Sequence, residues 1–305
     1  MTADLDQVIA FSVGGGSVRG RLVRLGPALD AILDRRHGYP EPVGALLAET
    51  LALTVVLAAA LKYDGVFTLQ AQGDGPVSLL VADVGSDGAL RAHARFDAAR
   101  LAGVETGLRA SVPRLLGRGH LAFTVDQGPD TERYQGIVEL TGDTLEECAR
   151  SYFRLSEQLE TAIEAAVRVP SATVGWGASA LMIQRMPAGG ANAPILVAED
   201  AEDGWRRAEI LLGSVTAAEM LDPALTPPQL LYRLYHAEQL QVFGPKALEA
   251  RCRCSRARVA TTLRSIPRDD VLGLIDDTGR VIVTCEFCRT EHIFGSAELE
   301  TLHAS

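Results

Sequence analysis

The sequence predicts an α+β fold, with an N-terminal sheet-and-helix domain, a helical linker and a small C-terminal domain. Three observations predict it. Segments of strict apolar/polar alternation recur between turn signals, as strands on a half-buried sheet do. A long apolar run, VGALLAETLALTVVLAAAL at 43–61, reads as a helix. Four of the five cysteines form two tight pairs near one end, Cys252 with Cys254 and Cys285 with Cys288.

A length of 305 residues suggests two domains and a small appendix. Hydrophobic residues at 47% and charged residues at 22% match an ordinary folded protein. The formal net charge of -10 argues against general attraction to nucleic acid or to anionic membrane surfaces. The start, MTADLDQVIAF, carries two aspartates and no lysine or arginine, unlike the cationic start of a secretory signal, so the expected compartment is the cytoplasm.

The 43–61 run is nearly long enough to span a bilayer. Glu49 interrupts it and alanine and threonine dilute it, so a buried or amphipathic helix beginning after the breaker run YPEP is expected, with no membrane partner. FTLQAQ (67–72), VSLLVADV (77–84) and LRAHARF (90–96), separated by GDGP and SDG, then read as successive antiparallel strands. HLAFTVDQ (120–127) and RYQGIVEL (133–140), joined by GPDTE, read as a hairpin. The block that follows is expected to begin at an Asp143 or Thr144 N-cap and to run helically to Pro170. ATVGWGASALMIQRMP (172–187) reads as a last extended segment and closes a first domain, 1–187.

AGGANAP (188–194) has the composition of a linker. The helical pieces beyond it, including one expected to start at Thr226 before Pro227, are too short to form a core alone and must pack on something else. These pieces make a linker region, 188–245, ahead of a last domain, 246–305.

That domain carries the cysteine pairs. Two cysteines separated by one residue point the same way on an extended segment, so Cys252 and Cys254 can grip one ion. Cys285 and Cys288 have the spacing of a knuckle, in which a tight turn brings both sulfurs to one metal. Where disulfides are rare, paired cysteines read first as metal ligands or redox groups. Four thiolates in two clips suit one tetrahedral zinc ion. His292 stands nearby as an alternative ligand, but four sulfurs already fill the shell. A segment of about 45 residues is near the size at which a fold needs a staple. Zinc can supply about 10–16 kcal/mol to such a fold. Neighbouring arginines favour thiolate, which helps both metal binding and attack by an oxidant. The sulfurs within a clip are also close enough to bridge once the ion is lost, so the same residues can hold two states.

Two other functions fit weaker signals. From Lys246 to Arg289 there are nine basic and six acidic residues, which allows a zinc ribbon that contacts nucleic acid. Cys148 is a candidate nucleophile, although it lies in a helical block with no histidine near it in sequence. No GxGxxG, phosphate loop, Gx-Ser-xG or HExxH motif supports an enzyme.

CRCS followed by CEFC, the stretch GDGPVSLLVADV, the block ERYQGIVELTGDTLEECARSYFRLSEQL, the segment LMIQRMP and the helix LLYRLYHAE occur in one order. Together they resemble the thirty-three-kilodalton heat-shock chaperone family, the redox-regulated holdases, over nearly the whole chain. The resemblance implies a zinc-bound, largely inactive cytoplasmic monomer when reduced, with one zinc ion on Cys252, Cys254, Cys285 and Cys288. It implies that hypochlorous acid, or peroxide combined with unfolding stress, releases zinc and joins Cys252 to Cys254 and Cys285 to Cys288. The linker then unfolds, a homodimer forms, and exposed apolar surface on the linker and the N-terminal domain binds unfolding clients without ATP. Neither catalysis nor specific nucleic-acid binding is implied. Two positions depart from the family: Arg289 stands where it usually has glycine, a change that makes the positive φ of a knuckle costlier, and His292 where it tends to have tyrosine.

Overall fold

The computed structural model describes residues 5–104, 112–128, 131, 133–187 and 198–304. Contacts divide the chain into two units, Met1–Ala250 and Arg251–Ser305.

The first unit begins with a hairpin that none of the periodicities above marks. Strands β1 (Gln7–Val13) and β2 (Val18–Leu25) pair antiparallel across Gly14, Gly15 and Gly16. All three glycines take positive φ, which is where the absence of Cβ is needed. A short helix α1 (Pro27–Ile32) leads to α2 (Glu41–Ala60). Strands β3 (Val66–Gly73), β4 (Val77–Gly85) and β5 (Ala89–Phe96) fall on the three segments read above as successive strands. Single turns of helix follow, α3 (Ala98–Leu101) and α4 (Val112–Leu115), and then the hairpin of β6 (Gly119–Asp126) and β7 (Tyr134–Glu139).

The expected helix from 143 to Pro170 is not one helix. Thr144 caps α5 (Leu145–Tyr152), its hydroxyl accepting from Glu147 N at 3.3 Å. A wide helical turn over Phe153–Glu157 then ends at Gln158, which takes a left-handed conformation. The carboxylate of Glu157 anchors that turn by accepting from the hydroxyls of Tyr134 and Tyr152. Beyond it TAIEAAVR is strand β8 (Thr161–Arg168), paired antiparallel with β9 (Gly177–Arg185). The cause is physical. β8 is covered on both faces, so its sequence is a near-continuous apolar run without the alternation that marks a half-buried strand.

Helices α6 (Ala198–Gly213), α7 (Ala217–Leu221) and α8 (Pro227–Tyr235) follow, and the unit closes with β10 (Gln241–Ala247) and β11 (Glu249–Ala250). The AGGANAP stretch, 188–194, lies outside the described residues. One sheet has the order β10-β1-β2-β9-β8, the other β11-β5-β4-β3-β6-β7. Every pairing is antiparallel except that of β11 with β5.

Helix α2 lies against β1, β2, β8 and β9 of one sheet and β3, β4 and β5 of the other. This explains a helix apolar on all sides. It is long and apolar enough to cross a membrane, with a mean hydropathy of 2.1, yet 78% of that window is buried within the protein. Its buried Thr50 and Thr54 return their hydroxyls to the carbonyls of Leu46 and Thr50, at 2.7 and 2.6 Å, so no polar group is stranded.

The other face of the first sheet carries a second apolar cluster. Ile9, Phe11, Val18, Leu22, Leu181 and Ile183 are buried there under Trp205, Leu212, Met220, Leu230, Leu231 and Tyr235 of α6, α7 and α8. Burial on both sides makes this sheet the middle layer of the unit. Two capping boxes define the covering helices: Thr216 with Glu219 at α7, and Thr226 with Gln229 at α8. Two arginines tie them down. Arg24 of β2, 3% exposed, donates to the carbonyls of Asp222 (3.0 Å), Glu219 (2.9 Å) and Leu225. Arg168 of β8 donates to Leu221 O at 3.1 Å. The last carbonyls of α7 thus receive one buried and one half-buried cation from the sheet, the favourable sign at a helix C-terminus.

The second unit has helices α9 (Arg256–Ser265) and α10 (Arg268–Leu272), a hairpin of β12 (Arg280–Thr284) and β13 (Glu291–Gly295), and α11 (Ser296–Ala304). Its fully buried core is five side chains: Leu263, Val271, Val281, Phe294 and Leu299. Arg256 pairs with Glu298 at 2.6 Å and lies 4.4 Å from the centre of the Phe294 ring, holding α9, α11 and β13 together.

Candidate metal centre

Cys252 and Cys254 sit in the irregular stretch just before α9. Ser255 is the N-cap of that helix, accepting from Arg258 N at 3.2 Å, and Arg258 in turn donates to Arg253 O at 3.1 Å, which fixes the residue between the two sulfurs. The positive end of α9 begins one residue after Cys254, a location that favours thiolate. Cys285 follows the end of β12, and Cys288 closes the turn into β13. Cys285 N donates to Thr290 O at 2.9 Å, and Arg289 N donates to Cys285 O at 2.8 Å. The turn requires a left-handed residue after Cys288, and Arg289 supplies it at φ 57°.

All four sulfurs lie within 4.8 Å of one another, and no other His, Cys, Asp or Glu among the described residues joins the group. Two sulfur–sulfur contacts run between the clips: Cys252 to Cys285 at 3.7 Å and Cys254 to Cys288 at 3.4 Å. A tetrahedron with metal–sulfur bonds of about 2.3 Å has edges of about 3.8 Å, so this spacing and this donor set fit one such ion. All four cysteines are half-buried, within reach of small reagents.

Their acidities differ. Burial pushes Cys254 and Cys285 up, and hydrogen bonds with neighbouring thiols add to this. Burial raises Cys288 too, but its hydrogen bonds with the Thr290 side chain and backbone and with Cys254 and Cys252 outweigh it, bringing it to about 7.

The comparisons with known proteins bear on what such a centre belongs to. The family model described as Hsp33 protein matches residues 6–295. A protein of Caulobacter vibrioides named 33 kDa chaperonin is 38% identical over 291 residues, 94% of each chain. Proteins of the same name are 34% identical in Pseudomonas fluorescens, over 99% of this chain and 94% of that one, and 33% identical in Escherichia coli, over 96% and 94%. This chain belongs to the Hsp33 family. The crystal structure of the Thermotoga maritima 33 kDa chaperonin, a heat shock protein 33 homologue, has the same fold, with a TM-score of 0.81 over 98% of both chains at 21% identity.

Membership of the Hsp33 family makes this a chaperone of α+β fold, as the resemblance implies. The structure brings Cys252, Cys254, Cys285 and Cys288 together as a group that can hold a metal ion, and His292 is not part of that group. His292 lies on β13 with its Nε2 buried and unpartnered. Cys148 is fully buried on α5, donates to Thr141 O at 3.7 Å, and is pushed up by burial to about 11. A thiol so placed is a core side chain and a poor nucleophile.

The docking arginines Arg24 and Arg168 escaped the sequence reading. Their partners are carbonyls up to about two hundred positions away, and no side-chain motif announces a backbone acceptor.

Proposed function

We propose that this chain is a redox-regulated, ATP-independent holdase of the cytoplasm. Its parts are an N-terminal domain 1–187, a redox-labile linker 188–245 and a switch domain 246–305. With Cys252, Cys254, Cys285 and Cys288 as thiolates holding one Zn²⁺, the protein is an inactive monomer. The zinc ion supplies cross-linking energy to the small C-terminal fold and no chemistry on a substrate. The observation that carries this reading is the group of four sulfurs in a unit with five buried core side chains.

Oxidation converts the ligands themselves. In each clip two thiolates lose two electrons to an oxidant such as hypochlorous acid, an S–S bond forms, and, with one proton taken up from solvent, chloride and water leave. Cys252 joins Cys254, and Cys285 joins Cys288. A disulfide sulfur is a far poorer ligand than a thiolate, so the metal is lost and the five-residue core stands alone. Arg251 follows Ala250 directly, and on this reading loss of the small fold loosens the segment ahead of it, which carries α6, α7 and α8. Their departure uncovers Phe11, Leu22, Leu181 and Ile183, an apolar face of the kind that holds unfolding clients and a second copy.

The test is aggregation of a heat-unfolding client, followed by light scattering. Reduced, zinc-loaded protein is expected to leave aggregation unchanged, and protein treated with hypochlorous acid to suppress it while releasing about one zinc per chain to a chromogenic chelator. Full suppression by the reduced protein, or a full oxidant response in the variant with all four cysteines changed to serine, overturns the reading.

A further inference from the structure

At the C-terminal end of α2 the two sheets leave a cleft of about 340 Å³, within the size range of small-ligand sites. Three cations line it, Arg21 of β2, Lys62 just after α2 and Lys246 of β10, and no aspartate or glutamate does. This is unexpected in a chain with 39 acidic and 29 basic residues. Among the described residues none of the three has a carboxylate within 4.0 Å.

Their hydrogen-bonding capacity is only partly used. Arg21 Nε donates to Ala59 O at 2.8 Å and Nη1 to Gly20 O at 2.8 Å, leaving donors of its five unspent. Lys246 Nζ donates to Ser86 O at 2.7 Å, and Lys62 makes no polar contact among the described residues. Asp64 and Asp87, on the loops beside the cleft, are turned to other donors: Asp64 accepts from Ser86 Oγ at 3.0 Å and Asp87 from Ala89 N at 3.1 Å. Capping the last turn of α2 accounts for one bond of Arg21 and offsets the negative end of that helix. It does not account for two lysines converging on the same space. A half-buried guanidinium without a counter-charge is costly, and burial and Arg19 together lower its pKa. The remaining walls are mainly apolar, with Val55, Leu61, Val84 and Leu248, and the two hydroxyls among them are already donating, Tyr63 to Val84 O at 3.1 Å and Ser86 to Asp64.

From this lining we propose that the cleft binds a small amphipathic anion, with a carboxylate or phosphate head on Arg21, Lys62 and Lys246 and a short apolar tail along Val55, Leu61 and Val84. The site is separate from the cysteines and from the face under α6, α7 and α8, and does not depend on the function proposed above.

Calorimetric titration of the full chain under reducing conditions tests it with three probes: decanoate for head and tail, inorganic phosphate for the head, and 1-decanol for the tail. Decanoate is expected to bind one to one, at least about tenfold tighter than either other probe, with phosphate competing and added salt weakening the complex. Lys62→Gln with Lys246→Gln is expected to lower decanoate affinity by about tenfold or more. Both lysines are exposed, so the double variant folds; Arg21→Gln also removes a helix cap and is read only after its melting curve. Absence of one-to-one binding, affinity unchanged in the double variant, or decanol binding as tightly as decanoate overturns the proposal.

Discussion

The sheet-and-helix unit and the cysteine unit are held together by different means. In the first, α2 is enclosed between two sheets, and a second apolar layer closes the outer face of one of them. At about 25 cal/mol per Å² of apolar surface, such burial stabilises a fold without help. In the second, the described core is five buried side chains, a few half-buried ones packed against them and one cation over an aromatic ring, and the four sulfurs are its strongest potential cross-link. On the proposed reading, sulfur chemistry costs the second unit its fold and the first unit only its covering helices.

The largest effect expected from that contrast is metal removal. Chelation of the reduced protein should withdraw about 10–16 kcal/mol from the cysteine unit and unfold it. Dispersed amide signals of residues 251–304 should collapse while those of α2 stay. Survival of both sets would remove the contrast.

Next comes Arg24. Arg24→Met leaves the carbonyls of Glu219, Asp222 and Leu225 without their buried donor and should cost about 3 kcal/mol. Hydrogen exchange is expected to accelerate over 198–235 more than anywhere else in the first unit. Uniform acceleration would mean that the covering helices are not separately docked.

Removal of a cap by Thr226→Ala should destabilise α8 by about 1 kcal/mol, read as the same local acceleration. In the cysteine unit, Arg289→Gly should raise zinc affinity slightly, by about 0.5–1 kcal/mol, because glycine takes the left-handed conformation at less cost. A chelator competition measures it, and a fall in affinity would show that the arginine side chain matters more than its backbone.

The smallest effect concerns acid. Hydrogen bonds from the Thr216 backbone and hydroxyl, and then the nearby Arg233, hold the Glu219 carboxyl below its ordinary value. A depressed folded pKa contributes stability above the unfolded value, and this is lost as pH falls through the folded one. Protection at α7, corrected for the intrinsic pH dependence of amide exchange, should therefore fall on acidification below about pH 4.5 and fall less in Glu219→Gln.

Legibility in the sequence followed the locality of the signal. The cysteine group was readable because each clip is complete within four residues and its chemistry needs no knowledge of the fold. α2 was readable from its long apolar run, and the strands from β3 to β7 from alternation and short apolar runs between turn signals. The need of the helices beyond 194 for a packing partner was readable from their shortness, and the outer face of the first sheet is that partner. β8 was not readable, since burial on both faces removes the alternation, and the helix before it stops at Gln158 without a glycine or proline to mark the place. The β1–β2 hairpin carries a visible signal in Gly14, Gly15 and Gly16, but its strands are also buried on both faces.

The central claim is that one ion's sulfur ligands decide whether α6, α7 and α8 stay on the sheet. Amide hydrogen exchange of the full chain, compared between the reduced zinc-loaded state and the state with both clips bridged, tests it most directly. Loss of protection over 251–304 and over 198–235, with α2 unchanged, is the predicted result. Undiminished protection over 198–235 in the bridged, metal-free protein would contradict it.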